Sequence, residues 1–404
     1  MIRLDSAVTP TLLSGATLAS QGSVAQSFFW ESFDQYWYVC QRDITPADQD
    51  RLLVSRLTAD GVLVDSMHIE RAGHGANIGV ERTGGAVFLW TDALPSGGWA
   101  TGLARIPWQK DATVDASDTT APASVVTFHR PRTTGAYRVS ATIDPNRRQL
   151  IYRWQSNDIK SEEGVGGIDR YDLDAVVAGT YTPLATMPFT ASGRTLQGYA
   201  SLGDHLYTYY GKPDKEPGAV TTLTCSDWAT GRVVQDVTIT AFASLSDREP
   251  EGLCVYENSP GDPQATLAFG FSGGSSGART FQAARYPHPG NGTWTEVPFN
   301  TAAFVPNSAS YKPQYRLSGD QVFLHFSLDQ IDGKAWASTQ QLFQLPLRAR
   351  PNRTQRLVGV VSGAYVTGQP LTVRLEVTAD GWVTLYDDRG FKGWIGADVS
   401  FWIC

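Results

Sequence analysis

One pattern recurs five times along the first three-quarters of this chain, and it limits the fold more than any other feature. Each unit opens on a polar residue followed by small ones, runs into an aromatic-rich strand, and adds two alternating strands around a turn. The openings are Gln26-Ser27-Phe28, His74-Gly75-Ala76, Arg138-Val139-Ser140, Gln197-Gly198-Tyr199 and Glu251-Gly252-Leu253. The second strands that follow are YWYVCQ, AVFLWT, QLIYRW, HLYTYY and ATLAFGF. The openings are separated by roughly 50–65 residues, the length of a four-stranded propeller blade with some long loops.

Turn chemistry agrees with this placing. Asp60-Gly61, Gly203-Asp204 and Thr230-Gly231 fall between alternating runs, where a hairpin needs residues that tolerate positive φ. A lone blade exposes both sheet faces and an edge, and radial packing covers the faces. The repeat therefore predicts a five-bladed β-propeller over residues 1–299. A tandem β-sandwich is the competing arrangement, but its strand spacing is shorter than this repeat. Residues 111–124 (DATVDASDTTAPAS) read as a solvated loop within the second blade.

Near residue 300 the repeat stops. From Tyr315 onward alternating strands are punctuated by Gly and Asp turns, enough for an independent C-terminal β-sandwich over residues 300–404. No long stretch keeps a 3.6-residue apolar period, and 39 Gly and 22 Pro break the chain often, so the expected class is all-β throughout.

A net charge of −7 opposes binding to polyanions, and no nucleic-acid partner is expected. The first residues (MIRLDSAVTP) lack a charged-then-apolar signal pattern, and no 18-residue apolar run occurs. Synthesis in a cytoplasm without membrane insertion is expected, with any release by lysis, by assembly into a particle or by a leaderless route. Cys40, Cys225, Cys254 and Cys404 lie far apart without metal-ligand spacing, three of them within apolar runs, and read as buried free thiols.

Motifs for catalysis are weak. Gly270-Phe271-Ser272-Gly273-Gly274 fits the text of a nucleophile elbow, but a glycine-rich stretch follows where that motif needs a helix, so a hairpin loop is expected. Gly73, Gly75 and Gly79 miss the dinucleotide spacing. The histidines at 68, 74, 129, 205, 288 and 325 show no metal-ligand pairing, and neither metal nor cofactor is expected. Glu81, Asp169, Glu249 and Glu251 are the carboxylates near blade openings that a glycosidase would need in pairs.

Binding residues are better represented. Gln26, His74, Arg138, Gln197 and Glu251 open the five innermost strands and are expected to face the central channel near one mouth. Such a ring either holds a ligand or satisfies backbone amides where the strands converge. Trp30, Trp90, Trp99 and Trp154 are candidates for stacking on sugar rings, with Trp90 and Trp99 joining the ring in the expected ligand-binding set. Arg130, Arg132, Arg138, Arg147, Arg148 and Arg153 form a run able to meet phosphates through forked hydrogen bonds, or else a solvated loop face.

Two local texts carry a family likeness. Gly73-His74-Gly75-Ala76-Asn77-Ile78-Gly79-Val80-Glu81 with Phe88-Leu89-Trp90 resembles the propeller shared by teichoic acid biosynthesis protein C and receptor-binding proteins of phages of Gram-positive hosts. Leu196-Gln197-Gly198-Tyr199, Gly203-Asp204-His205-Leu206-Tyr207 and Glu249-Pro250-Glu251-Gly252-Leu253 resemble its later blades. Lys312-Pro313-Gln314-Tyr315-Arg316, Gly319-Asp320-Gln321-Val322, Leu345-Pro346, Arg350-Pro351, Ala379-Asp380-Gly381 and Val399-Ser400-Phe401 are similar to a C-terminal β-sandwich of actinobacterial phage tail fibres.

The resemblance implies a non-enzymatic host-recognition protein of a phage tail or tail-like particle. It implies adhesion to a cell-wall glycopolymer, plausibly teichoic-acid-like, with tail or baseplate proteins as neighbours and a homotrimeric state. A glycopolymer-degrading enzyme at the channel mouth and a cellular teichoic-acid-related propeller are the alternatives. About 20 residues precede the first blade, fewer than phage fibres usually carry for attachment.

Overall fold

The computed structural model describes residues 1–404 except 1, 3, 5–8, 44–49, 97–98, 133–134, 157–165, 190–192, 263–264, 287–293, 319–320, 332, 362–370, 388–391 and 403–404. The chain divides into two compact units, Met1–Pro287 and His288–Cys404. The division lies earlier than the expected boundary at 299/300, because Thr295–Glu296 already pairs with Gln314–Ser318.

The first unit is a five-bladed propeller of antiparallel blades. Blade 1 is Ala25–Glu31, Tyr36–Arg42, Leu52–Thr58 and Leu63–Glu70; blade 2 is Gly79–Thr83, Ala86–Ser96, Trp99–Pro107 and Thr127–His129. Blade 3 is Tyr137–Asp144, Gln149–Gln155, Gly166–Asp172 and Ala185–Phe189; blade 4 is Leu196–Leu202, His205–Tyr210, Thr222–Asp227 and Val233–Thr238. Blade 5 runs Glu249–Tyr256, Thr266–Gly273 and Thr280–Arg285, and its outer strand is Thr11–Ala16 from the other end of the unit. That pairing, Thr11 opposite Ala284 and Ala16 opposite Phe281, joins the beginning of the ring to its end. Much of the short segment before blade 1 is thus part of the propeller.

The first strands of neighbouring blades touch one another and form the inner wall. Gly79 of blade 2 lies against Ile143 of blade 3, and Gly198 of blade 4 against Leu253 of blade 5. Burial follows the repeat: second strands such as Tyr36–Arg42 and His205–Tyr210 are buried on both faces, packed between adjacent blades. At the seam between blades 5 and 1, Phe28 sits 5.9 Å from Trp37 and 5.2 Å from Phe281. Packing of this kind is where the apolar surface that stabilises a propeller is removed from water.

Two expectations for this unit need correction. Within 111–124, Thr113–Asp115 pairs in parallel with Leu63–Glu70 and widens blade 1 to five strands, with Val114 and Ala116 buried. Gly270–Gly273 is not a hairpin loop but part of strand Thr266–Gly273. There the Ser272 hydroxyl accepts the Ala25 N–H at 2.9 Å, so the serine is structural. Cys40, Cys225 and Cys254 are buried free thiols, their ionisation pushed up first by burial, while Cys404 lies outside the described residues.

The second unit is an all-β body built from one curled sheet. Its strand order is Thr295–Glu296, Gln314–Ser318, Gln321–Gln330, Ile395–Trp402, Gln355–Val361, Leu371–Val377, Trp382–Tyr386 and Thr339–Gln344, with Phe304–Pro306 also on Gln321–Gln330. The sheet bends until Phe326 meets Phe343 edge-on at 5.1 Å and a single bridge joins Phe299 to Phe343. Alternation on Gln321–Gln330 places Val322, Leu324, Phe326 and Leu328 inside the curl. The Gly319-Asp320 pair named above lies outside the described residues. Among the described residues, no helix is long and apolar enough to cross a membrane.

Candidate functional site at the two channel mouths

The five polar openings lie at the starts of the inner strands, and in four blades the backbone sets the opening residue out of its ladder. Inner strands of blades 1, 3, 4 and 5 carry a register shift at Ala25/Ser27, Tyr137/Ser140, Leu196/Gly198 and Pro250/Leu253. Each shift sets Gln26, Arg138, Gln197 or Glu251 out of the pairing, as a β-bulge does. Arg138 takes a left-handed φ of 49° at its bulge. In blade 2 the equivalent His74 precedes the strand.

Between the bulges the inner strands of neighbouring blades pack closely against one another. The Ser27 hydroxyl donates to the Gly75 carbonyl at 2.7 Å, and Ser140 Oγ lies 3.1 Å from the Tyr199 hydroxyl. A Cβ on Gly198 would stand 2.7 Å from the Leu253 nitrogen, and one on Gly252, at φ 79°, 3.0 Å from the Ser27 Cα. Only glycine fits a left-handed residue with backbone at that distance.

Most of the opening residues are used by the fold itself. The Gln26 and Gln197 amides donate to the carbonyls of Ala25 and Gly211, each at 3.2 Å. Glu251 is buried, and burial, with the Glu249 charge, holds its carboxyl well above the ordinary range. Asp92, 2% exposed, accepts the Gly75 N–H at 2.8 Å, and burial raises it to about 7. His74 stacks on Trp99 at 4.7 Å, and the Arg138 guanidinium lies 4.0 Å over the same indole. Burial and then the charges of Arg42, Arg138 and Arg153 lower His74 to about 4, so it is neutral near pH 7. The three-layer stack of His74, Trp99 and Arg138 is the part of this mouth with partly exposed aromatic and cationic groups.

Trp90 does not belong to that set. It is fully buried in blade 2, its indole N–H donating to Glu81 Oε2 at 2.9 Å, and its aromatic surface fills the core. Trp30 is buried too, stacked on Tyr256 at 5.2 Å, while Trp154 is covered by Arg132 at 3.8 Å. The arginine run is spread over several ion pairs rather than gathered. Arg132 holds Asp169, Arg147 holds Asp204 and Arg148 holds Asp174.

Glu81 and Glu251, which a hydrolase would need side by side, stand at opposite mouths. Glu251 opens the inner strand of blade 5, whereas Glu81 lines a pocket beside Glu257, the residue that follows that same strand. The six-residue rise from 251 to 257 is about 20 Å, well beyond the separation of a carboxylate pair in glycoside hydrolysis.

That second mouth holds a cavity of ≈ 280 Å³ lined from blades 1, 2, 3 and 5. Its acidic groups close inner strands: Glu31 ends the first, Glu81 lies in the second, and Glu257 follows the fifth, while Asp144 ends the third beside the lining residues Ile143 and Pro145. Glu81 is bound by Arg105 at 2.7 Å, Trp90 and Thr83, which together outweigh burial and lower it. Glu31 accepts the N–H groups of Phe33 and Asp34. Glu257 accepts the Ser32 hydroxyl at 3.0 Å through Oε2, and burial raises it to about 7; burial raises Asp144 to about 6. Glu257, Asp144 and Glu31 are not among the residues that the sequence motifs single out. The signal available was an acid five to seven residues after every opening: Glu31, Glu81, Asp144, Asp204 and Glu257.

The chain thus carries a five-bladed propeller and a curled β unit, with polar and charged groups at both ends of the propeller's inner strands. The chain belongs to the family of the phage 5-bladed beta propeller receptor binding platform domain, whose model matches residues 24–283. It is 26% identical over 291 residues to the putative major teichoic acid biosynthesis protein C of Bacillus subtilis (strain 168), covering 69% of this chain. The match spans 62% of that relative's length. Among solved structures, the tail fiber of Staphylococcus aureus phage P68 shares the fold at a TM-score of 0.58 and 17% identity, over 95% of this chain and 97% of the fibre. An exo-beta-1,3-galactanase from Phanerochaete chrysosporium aligns at a TM-score of only 0.39 and 6% identity, covering 94% of this chain and 100% of the enzyme.

Proposed function

We propose that this protein recognises the host cell for a phage tail or tail-like particle by adhering to a cell-wall glycopolymer, and does so without catalysis. The family match across residues 24–283 is the observation that carries the reading, because it names receptor binding as the role of this propeller type. Likeness to a protein named for teichoic acid biosynthesis supports a teichoic-acid-like polymer as the ligand class. The separation of Glu81 from Glu251 removes that pair as an acid–base couple for hydrolysis.

Adhesion to a repeating polymer works through many weak contacts. A trimer on each fibre, with several fibres on one particle, multiplies them into avidity that a single site does not need to reach. The location proposed is the tail of a virion or of a related extracellular particle, next to tail or baseplate proteins.

Fluorescently labelled full chain, incubated with intact cells of a panel of Gram-positive strains, tests this reading. Strain-restricted decoration without release of soluble sugar or phosphate is expected. Decoration of no strain, or depletion of polymer from the wall by purified protein, would overturn it.

A further inference from the structure

Strand Thr339–Gln344 is the last in the curled sheet of the second unit, and a groove of ≈ 860 Å³ runs beside it. On its partner strand Trp382–Tyr386, Val383 and Leu385 are buried in the core of the curl, so Trp382, Thr384 and Tyr386 share the other face. The cross-strand register sets Gln344 opposite Trp382, Gln341 opposite Thr384 and Thr339 opposite Tyr386, and all six line the groove. Two aromatic side chains thus stand four residues apart, about 13 Å along the strand, with a hydroxyl and an amide between them. Phe299 and Asn300 line the groove as well.

No Asp, Glu, Lys, Arg or His is among the residues that line this groove. The strand-end mouth of the propeller, by contrast, is lined by Glu31, Glu81, Arg82, Arg148 and Glu257. Beside the groove, Arg374 lies over the Tyr386 ring at 4.4 Å and is matched by Glu376 at 3.5 Å. A phosphate chain therefore meets no lining cation, and a free cation no lining carboxylate. An incoming protein strand is disfavoured too. The ladder shifts register between Gln341 and Phe343, and the Phe299–Phe343 bridge interrupts the open edge.

The chemistry that remains is that of a sugar. Sugar hydroxyls both donate and accept, as side-chain amides and hydroxyls do, and the C–H face of a sugar ring packs on an aromatic one. The fold uses part of the polar lining: the Gln344 amide donates to the Asp380 carbonyl at 2.9 Å, and the Thr378 hydroxyl accepts the Trp382 N–H at 3.1 Å. Thr339 and Gln341 are exposed and Trp382 is half-buried, so these three present their groups to the groove. Its volume is in the range of small-molecule sites and has room for more than one ring.

We propose that this groove is a glycan site of the C-terminal unit, taking a short run of uncharged sugar residues. Trp382 packs under one ring, while Gln341, Thr384 and Thr339 hydrogen-bond hydroxyls along the strand pair. The proposal rests on the host-recognition reading and deepens it: the second unit reads the sugars of the glycopolymer, and its charged groups stay outside the groove. Weak binding of this kind gains its strength from repetition along the polymer.

The test uses the full chain, the groove variants Trp382→Ala and Gln341→Ala, and Val358→Ser, at an exposed position outside the groove, as control. Binding to purified Gram-positive walls is measured beside saturation-transfer NMR with diacetylchitobiose, maltotriose and glycerol phosphate, and sedimentation gives the oligomeric state. Wild type is expected to bind walls and to receive transfer from at least one of the two sugars. Trp382→Ala is expected to remove that transfer and to weaken wall binding about tenfold or more. Gln341→Ala is expected to weaken it about fivefold, the worth of one hydrogen bond, and Val358→Ser to change nothing. Should Trp382→Ala melt below wild type, the surface variant Gln341→Ala decides. Unchanged wall binding by folded groove variants overturns the glycan site and leaves the host-recognition reading intact. Transfer from glycerol phosphate alone overturns it too, as does a change of oligomeric state in the groove variants, which would make the groove a subunit interface. Absence of wall binding by wild type overturns the host-recognition reading instead. The NMR arm then decides the groove: sugar transfer lost in Trp382→Ala sustains it, and no transfer from either sugar overturns it.

Discussion

The backbone N–H of Ala25 donates to the hydroxyl of Ser272 at 2.9 Å, tying the opening of blade 1 to the second strand of blade 5 across the ring's closing seam. The same seam is covered from outside by Thr11–Ala16, which completes blade 5. A propeller closed in this way unfolds as a unit, since opening the seam exposes two blade faces at once.

Loss of the outer strand's anchor should therefore be felt by the whole ring. Leu13 is 2% exposed, and Leu13→Ala is expected to lower stability by about 2–4 kcal/mol. Denaturant melts followed by tryptophan fluorescence check this, and a single transition with a lower midpoint is expected. A change confined to a minor early transition would mean that blade 5 frays alone.

Gly252→Ala tests the close packing of inner strands between blades 5 and 1. The added methyl meets Phe28 Cδ1 at 2.7 Å and Ser27 Cα at 3.0 Å, at a backbone of φ 79°. Gly85→Ala, at φ 81° with no atom within 4 Å, carries the conformational cost alone. That shared cost is about 1–2 kcal/mol, and calorimetry is expected to show Gly252→Ala losing clearly more than Gly85→Ala.

Asp92 and His74 bias the pH dependence of stability in opposite directions. Asp92 is raised from 3.8 to about 7, so the unfolded chain releases its proton first and stability falls as pH rises between those values. His74 is lowered from 6.5 to about 4, so stability falls as pH drops through that interval. Asp92→Asn keeps an acceptor for Gly75 and removes the first contribution, which is on the order of 4 kcal/mol for about three pKa units. Its stability is expected to rise more steeply from pH 4 to 7 than wild type, measured by urea melts at several pH values. Parallel curves for the two proteins would contradict the assignment.

The stack predicts a spectroscopic constant. His74, covered by Trp99 and surrounded by Arg42, Arg138 and Arg153, is expected to keep neutral imidazole shifts in NMR from pH 8 down to about 5. In Trp99→Ala the cover is gone, and the titration midpoint is expected to move upward toward the ordinary histidine value.

Much of this was legible in the sequence, for identifiable reasons. A blade repeats period-two alternation between turns, so local text reveals its existence, and openings such as Gln197-Gly198-Tyr199 mark where inner strands begin. Ring closure was not legible, because Thr11–Ala16 carries no opening signal and its partners Phe281 to Ala284 lie some 270 residues away. The same non-local pairing explains Thr113–Asp115 on blade 1 and the strand order of the curled C-terminal sheet. At the site, Trp90 and Trp99 look alike as text, and only burial separates a core indole from a mouth indole. Glu257 and Asp144 carry no motif of their own, and only the fold shows that acids recurring at the repeat's spacing end up at one mouth.

Wall binding before and after chemical removal of the glycopolymer tests the central claim most directly. Purified full chain is titrated onto walls from a susceptible Gram-positive strain, and onto the same walls stripped of their covalently attached anionic polymer. Saturable binding to intact walls, lost on stripping, is the predicted result. Equal binding to intact and stripped walls would contradict a glycopolymer receptor.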